Sequence, residues 1–313
     1  MKRRVAIVGA GVSGLTCGIA CAETGFDTAI FAEQMGPGTT SAAAGAIWYP
    51  YDAGPSEQTI AWALETYRAL LDLARDSRSG VSLIELRTFS RTGEVDIPPW
   101  ALPLGAERLR SGIPAAFVSG FALKVPLMDT TIYLDYLARR FREAGGEIHP
   151  NRRFAQLEDV DPAFDLVINC AGIGARTLVQ DFDLEPHRGQ VVIVPKIDLP
   201  YAVVCDDAPL TYVIPRAMDC VFGGTNELSD DVAIDPPATA RMVADCSRLL
   251  DLAQPEVLGE RVGLRPFRRS GVRVEREQLR DGRALIHNYG HGGSGFTLSW
   301  GCAEAVATIA RST

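Results

Sequence analysis

The sequence predicts an α/β fold in which a parallel, doubly wound lobe is interleaved with a second lobe built on antiparallel sheet. Three observations carry this prediction. The chain opens on a β-branched run, Val5-Ala6-Ile7-Val8, that passes at once into glycines and then into a helix-spaced apolar series. A second run, Asp165-Leu166-Val167-Ile168-Asn169-Cys170-Ala171-Gly172, has the continuous apolar character of a buried parallel strand stopped by a small-residue turn. Alternating segments broken by prolines separate these and read as hairpins. With α/β material at both ends and in the middle, residues 1–50, 127–186 and 270–313 are expected to form the first lobe, and 51–126 and 187–269 the second.

In chain order, Val12, Leu15, Ile19 and Ala22 recur near helical spacing until Gly25 stops the helix, and Thr28-Ala29-Ile30-Phe31 runs extended into Glu33. Residues 36–46 are rich in small side chains and read, with Ile47-Trp48-Tyr49-Pro50-Tyr51, as a long ordered loop. Ser56 stands as the N-cap of a helix with Ile60, Leu64, Tyr67, Leu71 and Ala74 on its apolar face. From Val81 to Val125, short alternating segments interrupted by Pro98-Pro99, Pro103 and Pro114 predict antiparallel sheet. Asp129 caps a helix through Ile132, Tyr136, Phe141 and Ala144, which Gly145-Gly146 ends. Gln190 to Val194, Ala202 to Val204, Tyr212 to Ile214 and Cys220 to Gly223 are hairpin strands, followed by a helix over 239–252. A strand from Ala284 to Tyr289, a glycine-rich turn and a helix from Phe296 to Ala310 close the chain.

The 313 residues are 47% hydrophobic and 22% charged, which supports two packed lobes and excludes a disordered chain. Against 39 Asp and Glu, the 31 Lys and Arg leave a formal charge of −8, without the basic footprint of a phosphate-backbone binder, so nucleic acid is not an expected partner. Seven cysteines, an odd number with no C-x-x-C pair, read as reduced thiols in a cytoplasmic protein. No apolar run approaches the roughly 18 residues of a membrane span, the first strand leaves no room for a leader, and Ala310-Arg311-Ser312-Thr313 is not a peroxisomal tripeptide. No membrane association is expected.

In Gly9-x-Gly11-x-x-Gly14 the first glycine permits a tight turn, the second lets a diphosphate approach the backbone, and the third lets helix and strand pack closely. The helix N-terminus then faces the anion. Glu33, 19 residues beyond Gly14, is placed to bond ribose hydroxyls, and an acid there disfavours a 2′-phosphate, leaving NAD or FAD. Gly290-His291-Gly292-Gly293-Ser294-Gly295-Phe296-Thr297 leads into the last helix, so its N–H groups either face a second anionic centre or simply start a helix. Ser294 lacks the second glycine of G-x-S-x-G, and hydrolysis is not expected. His287 and His291 lie in a poor helical sequence with no third ligand, so structural roles are expected and no metal. In Arg265-Pro266-Phe267-Arg268-Arg269, the last two arginines read as a solvated turn. Arg265, in a strand, either shares that fate or points inward as a guanidinium fork for a carboxylate.

With these residues in hand, the chain resembles the D-amino-acid oxidase family over nearly its full length. The resemblance is carried in family order by Val8-Gly9-Ala10-Gly11-Val12-Ser13-Gly14-Leu15, Asn169-Cys170-Ala171-Gly172, Arg188-Gly189-Gln190, Gly263-Leu264-Arg265-Pro266, Arg273-Val274-Glu275-Arg276-Glu277 and the block from His287 to Gly295. It implies a Rossmann-like FAD-binding domain interleaved with an antiparallel-sheet α+β substrate domain. It implies FAD as cofactor, held by Gly9, Gly11, Val12, Ser13, Gly14, Glu33, Gln34, Thr39, Thr40, Ser41, Ala44, Gly45, Ile47, Phe154, Gly292, Gly293, Gly295, Phe296 and Thr297. Arg265 and Tyr212 match the residues that hold the substrate carboxylate, and Gly293 the glycine whose carbonyl accepts from the amine. Tyr49, Tyr51, Ile214 and Ser294 fall in the substrate pocket. Two departures are visible: Cys205-Asp206-Asp207-Ala208-Pro209-Leu210-Thr211 is shorter than the family's lid and has no aromatic, and Tyr49 replaces a glutamine of mammalian members.

The implied reaction is oxidative deamination of a D-amino acid, with hydride transfer from Cα to flavin N5, oxygen as the partner acceptor, and peroxide, ammonia and a 2-oxo acid as products. Neutral, bulky side chains are expected, because Asn226 stands where D-aspartate oxidases carry an arginine; Arg216 is read as an exposed turn residue. The alternatives are a D-aspartate oxidase, a glycine or sarcosine-type amine oxidase, and a non-catalytic flavin-binding protein. A homodimer is the assembly left open.

Overall fold

The computed structural model describes residues 2–54 and 56–313. Its first half runs β1 (Arg4–Val8), α1 (Val12–Glu23), β2 (Asp27–Ala32), α2 (Glu57–Leu73), β3 (Val81–Ser90), β4 (Glu107–Arg108), β5 (Ser119–Met128) and α3 (Thr130–Glu143). Then come β6 (Glu147–Pro150), β7 (Leu166–Asn169), α4 (Ala175–Leu178), β8 (Leu184–Pro195), β9 (Tyr201–Cys205), β10 (Thr211–Pro215) and β11 (Asp219–Gly223). The last elements are β12 (Glu227–Leu228), α5 (Pro236–Leu250), β13 (Gly259–Arg268), β14 (Arg273–Gln278), β15 (Ala284–Tyr289) and α6 (Gly295–Ser312).

One sheet has the order β14-β15-β7-β1-β2-β6, parallel except for β14 on its edge. Val5, Ile7, Leu166 and Ile168 are fully buried against the helices, while Ala6, Val167 and Leu285 meet Leu157, Val160 and Phe164 on the other face. Burial on both faces is why these strands read as unbroken apolar runs. The second sheet has the order β12-β8-β11-β10-β9-β3-β5-β4 with β13 along β8, antiparallel apart from the β3–β9 pairing.

Both expected caps form. Ser56 Oγ accepts from the Thr59 N–H and Asp129 Oδ1 from the Thr131 N–H. The buried helix faces are corrections. On α2 the buried stripe is Thr59, Ala63, Thr66 and Leu70, with the expected Ile60, Leu64, Tyr67 and Leu71 only half-buried beside it. The reason is close packing on α6, where a Cβ added at Gly301 would overlap the Trp62 backbone, so the contact face takes small side chains. α2, within the 51–126 segment expected in the second lobe, packs on α6. On α3, Tyr133, Leu137 and Phe141 are buried and Ile132 is 40% exposed. The helix expected from Thr239 begins at Pro236, a residue suited to the first turn. Arg268, expected in solvent, is half-buried and pairs with Asp181 at 2.8 Å.

Candidate active site

A cavity of about 980 Å³ lies outside the carboxyl ends of β1, β2, β7 and β15 and extends over β8, β9, β10 and β13. That is the crevice where open α/β sheets place ligands. At the β1 turn, Gly9 has φ +114°, and a Cβ there would overlap the Cys170 carbonyl. Gly11 is the N-cap of α1, supplies no side-chain cap, and no acid follows in the first turn, so the positive helix end faces the cavity without a counter-charge. A Cβ at Gly11 would reach within 3.0 Å of Ser41 Oγ, which itself accepts from the Val12 N–H at 3.0 Å. These are the features a dinucleotide diphosphate requires, and a cavity at the top of the usual small-ligand range has room for it and a substrate.

Glu33, Gln34, Thr39, Thr40, Ser41, Ala44, Gly45, Ile47 and Phe154 line this cavity with Gly9, Gly11, Val12 and Ser13, as do Gly292, Gly293, Gly295, Phe296 and Thr297. Gly14 does not line it. A Cβ at Gly14 would overlap the Gly9 carbonyl, so this glycine serves helix–strand packing. Arg152 and Arg153 also line the wall, Arg153 reaching Glu33 at 3.5 Å, and the sequence reading missed them. Their signal was a pair of cations just beyond β6, the neighbour of β2.

Over the second sheet stand Arg265, Tyr212, Ile214, Tyr49 and Tyr51. Arg265 Nη1 donates to the Thr225 carbonyl at 2.9 Å and to Asn226 Oδ1 at 3.2 Å, and no carboxylate pairs with it among the described residues. Its guanidinium lies across Gly189, where any Cβ would overlap it. Burial raises the Tyr212 phenol and Arg265 beside it opposes the rise. The Tyr51 phenol is pushed up to about 12 by burial, against the Arg265 charge, and its oxygen accepts from the Asn226 amide at 3.0 Å. The Thr297 hydroxyl donates to the Tyr49 carbonyl at 3.0 Å and accepts from the Tyr49 N–H at 3.1 Å, fixing the loop against α6.

Two expectations are corrected. Ser294 is not on the cavity: it is fully buried, and its Oγ donates to the Tyr51 carbonyl at 2.6 Å and accepts from the Tyr51 N–H at 2.7 Å, so it positions Tyr51 from beneath. Arg216 is 4% exposed rather than a solvated turn residue; it makes a two-pronged pair with Asp219 at 2.7 Å and donates to Thr130 Oγ1. Being so engaged, and absent from the cavity wall, it is not free for a ligand carboxylate. His291 is driven down to about 4 by burial and bonds Asn288; His287 sits between Asn169 and Glu277. His291 lines the cavity, and among the described residues no group of three or more His, Cys, Asp or Glu is placed to hold a metal ion.

The family model for FAD dependent oxidoreductases (DAO) matches residues 4–309. A D-amino-acid oxidase of Rubrobacter xylanophilus is 41% identical, covering 98% of this chain and 95% of the relative. The human D-aspartate oxidase is 31% identical over 98% of this chain and 94% of its own. Among solved structures, the glycine oxidase of Geobacillus kaustophilus superposes with a TM-score of 0.83 at 20% identity, covering 100% of this chain and 96% of that one. The diphosphate-binding turn, the crevice at the strand ends and the near full-length match agree: the chain belongs to the FAD dependent oxidoreductase (DAO) family and is an enzyme that works with FAD.

Proposed function

We propose that this enzyme oxidatively deaminates D-amino acids to 2-oxo acids and ammonia, with oxygen as final acceptor and hydrogen peroxide as coproduct. FAD, when bound, supplies the acceptor for the two electrons and the hydrogen leaving the substrate. The single observation that carries the reading is Arg265, a cavity-facing guanidinium with no carboxylate partner and with Tyr212 beside it. A planar fork of donors in that state suits the carboxylate of an amino acid. Relatives named D-amino-acid oxidase at 41% and 37% identity supply the substrate class.

The protein's part is alignment. Arg265 and Tyr212 hold the substrate carboxylate, the Gly293 carbonyl accepts from the amine, and these fixed points direct the Cα–H bond away from the second sheet. Holding the reacting bond in this way supplies most of what such a reaction asks of side chains, and no side-chain base is needed. The seven cysteines are all free and buried, which suits the cytoplasmic, reducing setting expected for the chain. No described helix is long and apolar enough to cross a membrane.

Arg265→Met tests the reading. One charge-assisted hydrogen bond contributes about 1.5 to 3 kcal/mol, and lost alignment adds to it, so kcat/KM for D-alanine should fall at least roughly 100-fold. Flavin absorbance should persist. Near-normal kinetics in the variant, or no peroxide from any D-amino acid in the parent enzyme, would overturn the assignment.

A further inference from the structure

Once Arg265 and Tyr212 take the carboxylate, Gly293 the amine and the acceptor the Cα hydrogen, the side chain is the one substituent left to enter the rest of the cavity. The wall there is Tyr49, Val204, Asp206, Leu210 and Ile214. All but Asp206 are apolar or phenolic. Asp206 opens the five-residue connection between β9 and β10, and its Oδ2 accepts from the Tyr49 hydroxyl at 2.9 Å. No Arg, Lys or His pairs with it among the described residues.

Its neighbours differ in this respect. Asp207 accepts from the Arg91 backbone N–H and from Ser90 Oγ and feels the nearby Arg91 charge, which together hold its carboxyl down, and Asp52 meets His187 at 3.0 Å. Asp206 is exposed to solvent on the cavity wall, and the protein atoms around it, with Asp207, raise its carboxyl above its usual range. A carboxylate held without a counter-ion next to a ligand cavity favours a ligand that brings one. Asp206 and Arg265, of opposite charge, both line this one cavity.

We infer that Asp206 is a specificity residue that selects D-amino acids whose side chain ends in an ammonium or guanidinium group, with Tyr49 fixing the direction of its carboxylate. This deepens the deamination reading and rests on it. It replaces the expectation of a preference for neutral side chains and keeps the exclusion of acidic ones, which Asp206 would repel and for which Arg216 is already engaged.

The experiment compares kcat/KM for D-lysine and D-norleucine, which differ in the terminal cation, in the parent enzyme and in Asp206→Asn and Asp206→Glu. The parent should favour D-lysine. Asp206→Asn should lower D-lysine by about 10- to 100-fold, the loss of one charge-assisted hydrogen bond, with D-norleucine changed less than about 3-fold. Asp206→Glu, which keeps the charge, should retain a preference for D-lysine. An unchanged ratio in Asp206→Asn, or equal losses on both substrates, overturns the inference while leaving deamination intact. No turnover of either substrate by flavin-loaded parent enzyme that oxidises D-alanine overturns the inference alone; no peroxide from any D-amino acid overturns both readings.

Discussion

Two arginines of the second sheet region, Arg216 just past β10 and Arg265 within β13, end in opposite states. Arg216 is locked by Asp219 three residues on, and Arg265 donates to a carbonyl and an amide oxygen, with no carboxylate partner among the described residues. Local sequence does not separate them, because each stands next to a proline of a strand, Arg216 after Pro215 and Arg265 before Pro266. What keeps Arg265 in place is the absence of a side chain at Gly189, which pairs with Gly263 in the β8–β13 ladder and over which the Arg265 guanidinium lies. Gly189→Ala should therefore displace the guanidinium. Because the overlapping atoms belong to the far end of a flexible side chain, the backbone need not move. We expect kcat/KM to fall by about 100-fold, the scale of an ångström-size misplacement, with Tm changed by less than about 1 °C. Full activity in this variant would show that Arg265 does not set substrate geometry.

At the level of elements, the helix that carries the glycine-rich turn into the core is held by its contact with α2. Gly301 sits where the helices approach closest, its N–H donating to Thr66 Oγ1 at 2.9 Å. Gly301→Ala sets two effects against each other. The helix propensity gain is about 1 kcal/mol, whereas forcing a methyl against backbone that cannot rotate away costs about 1 to 3 kcal/mol. The clash should prevail, lowering Tm by a few degrees, and a thermal melt of holoenzyme checks it. A rise in Tm would mean that the helices separate at little cost. The same contact explains why the buried face of α2 departs from the one its amphipathic spacing predicts. Amphipathic spacing locates large side chains, but Ala63 and Thr66 are chosen by the distance between two helices.

Across the whole molecule, the cavity is walled by both sheets, so a dinucleotide bound there would tie the carboxyl ends of β1, β2 and β7 to the loop 39–47 and the face of the second sheet. Ligand that binds only the folded chain stabilises it by mass action: at free FAD one hundred times its dissociation constant the contribution is about 2.7 kcal/mol, or roughly 4 °C for a chain of this size. Stripping FAD in mild denaturant should lower Tm by that order, and adding FAD should restore both Tm and the yellow absorbance. A melt unaffected by FAD would contradict a site shared by the two sheets.

The sequence by itself determined the parallel sheet, the phosphate-binding turn and most element boundaries, because these rest on local facts: β-branched runs, glycine spacing, and the caps Ser56 and Asp129. It also placed Arg265 and Tyr212 together through resemblance. Only the tertiary structure decided that Ser294 lies beneath Tyr51, that Arg216 is buried and engaged, and that Asp206 faces the pocket without a counter-ion. Each of these depends on which groups distant in sequence meet: Tyr49 with Asp206 across 157 positions, Ser294 with Tyr51 across 243. A charge's role is set by its partners and its solvent, and neither is written in the residues next to it.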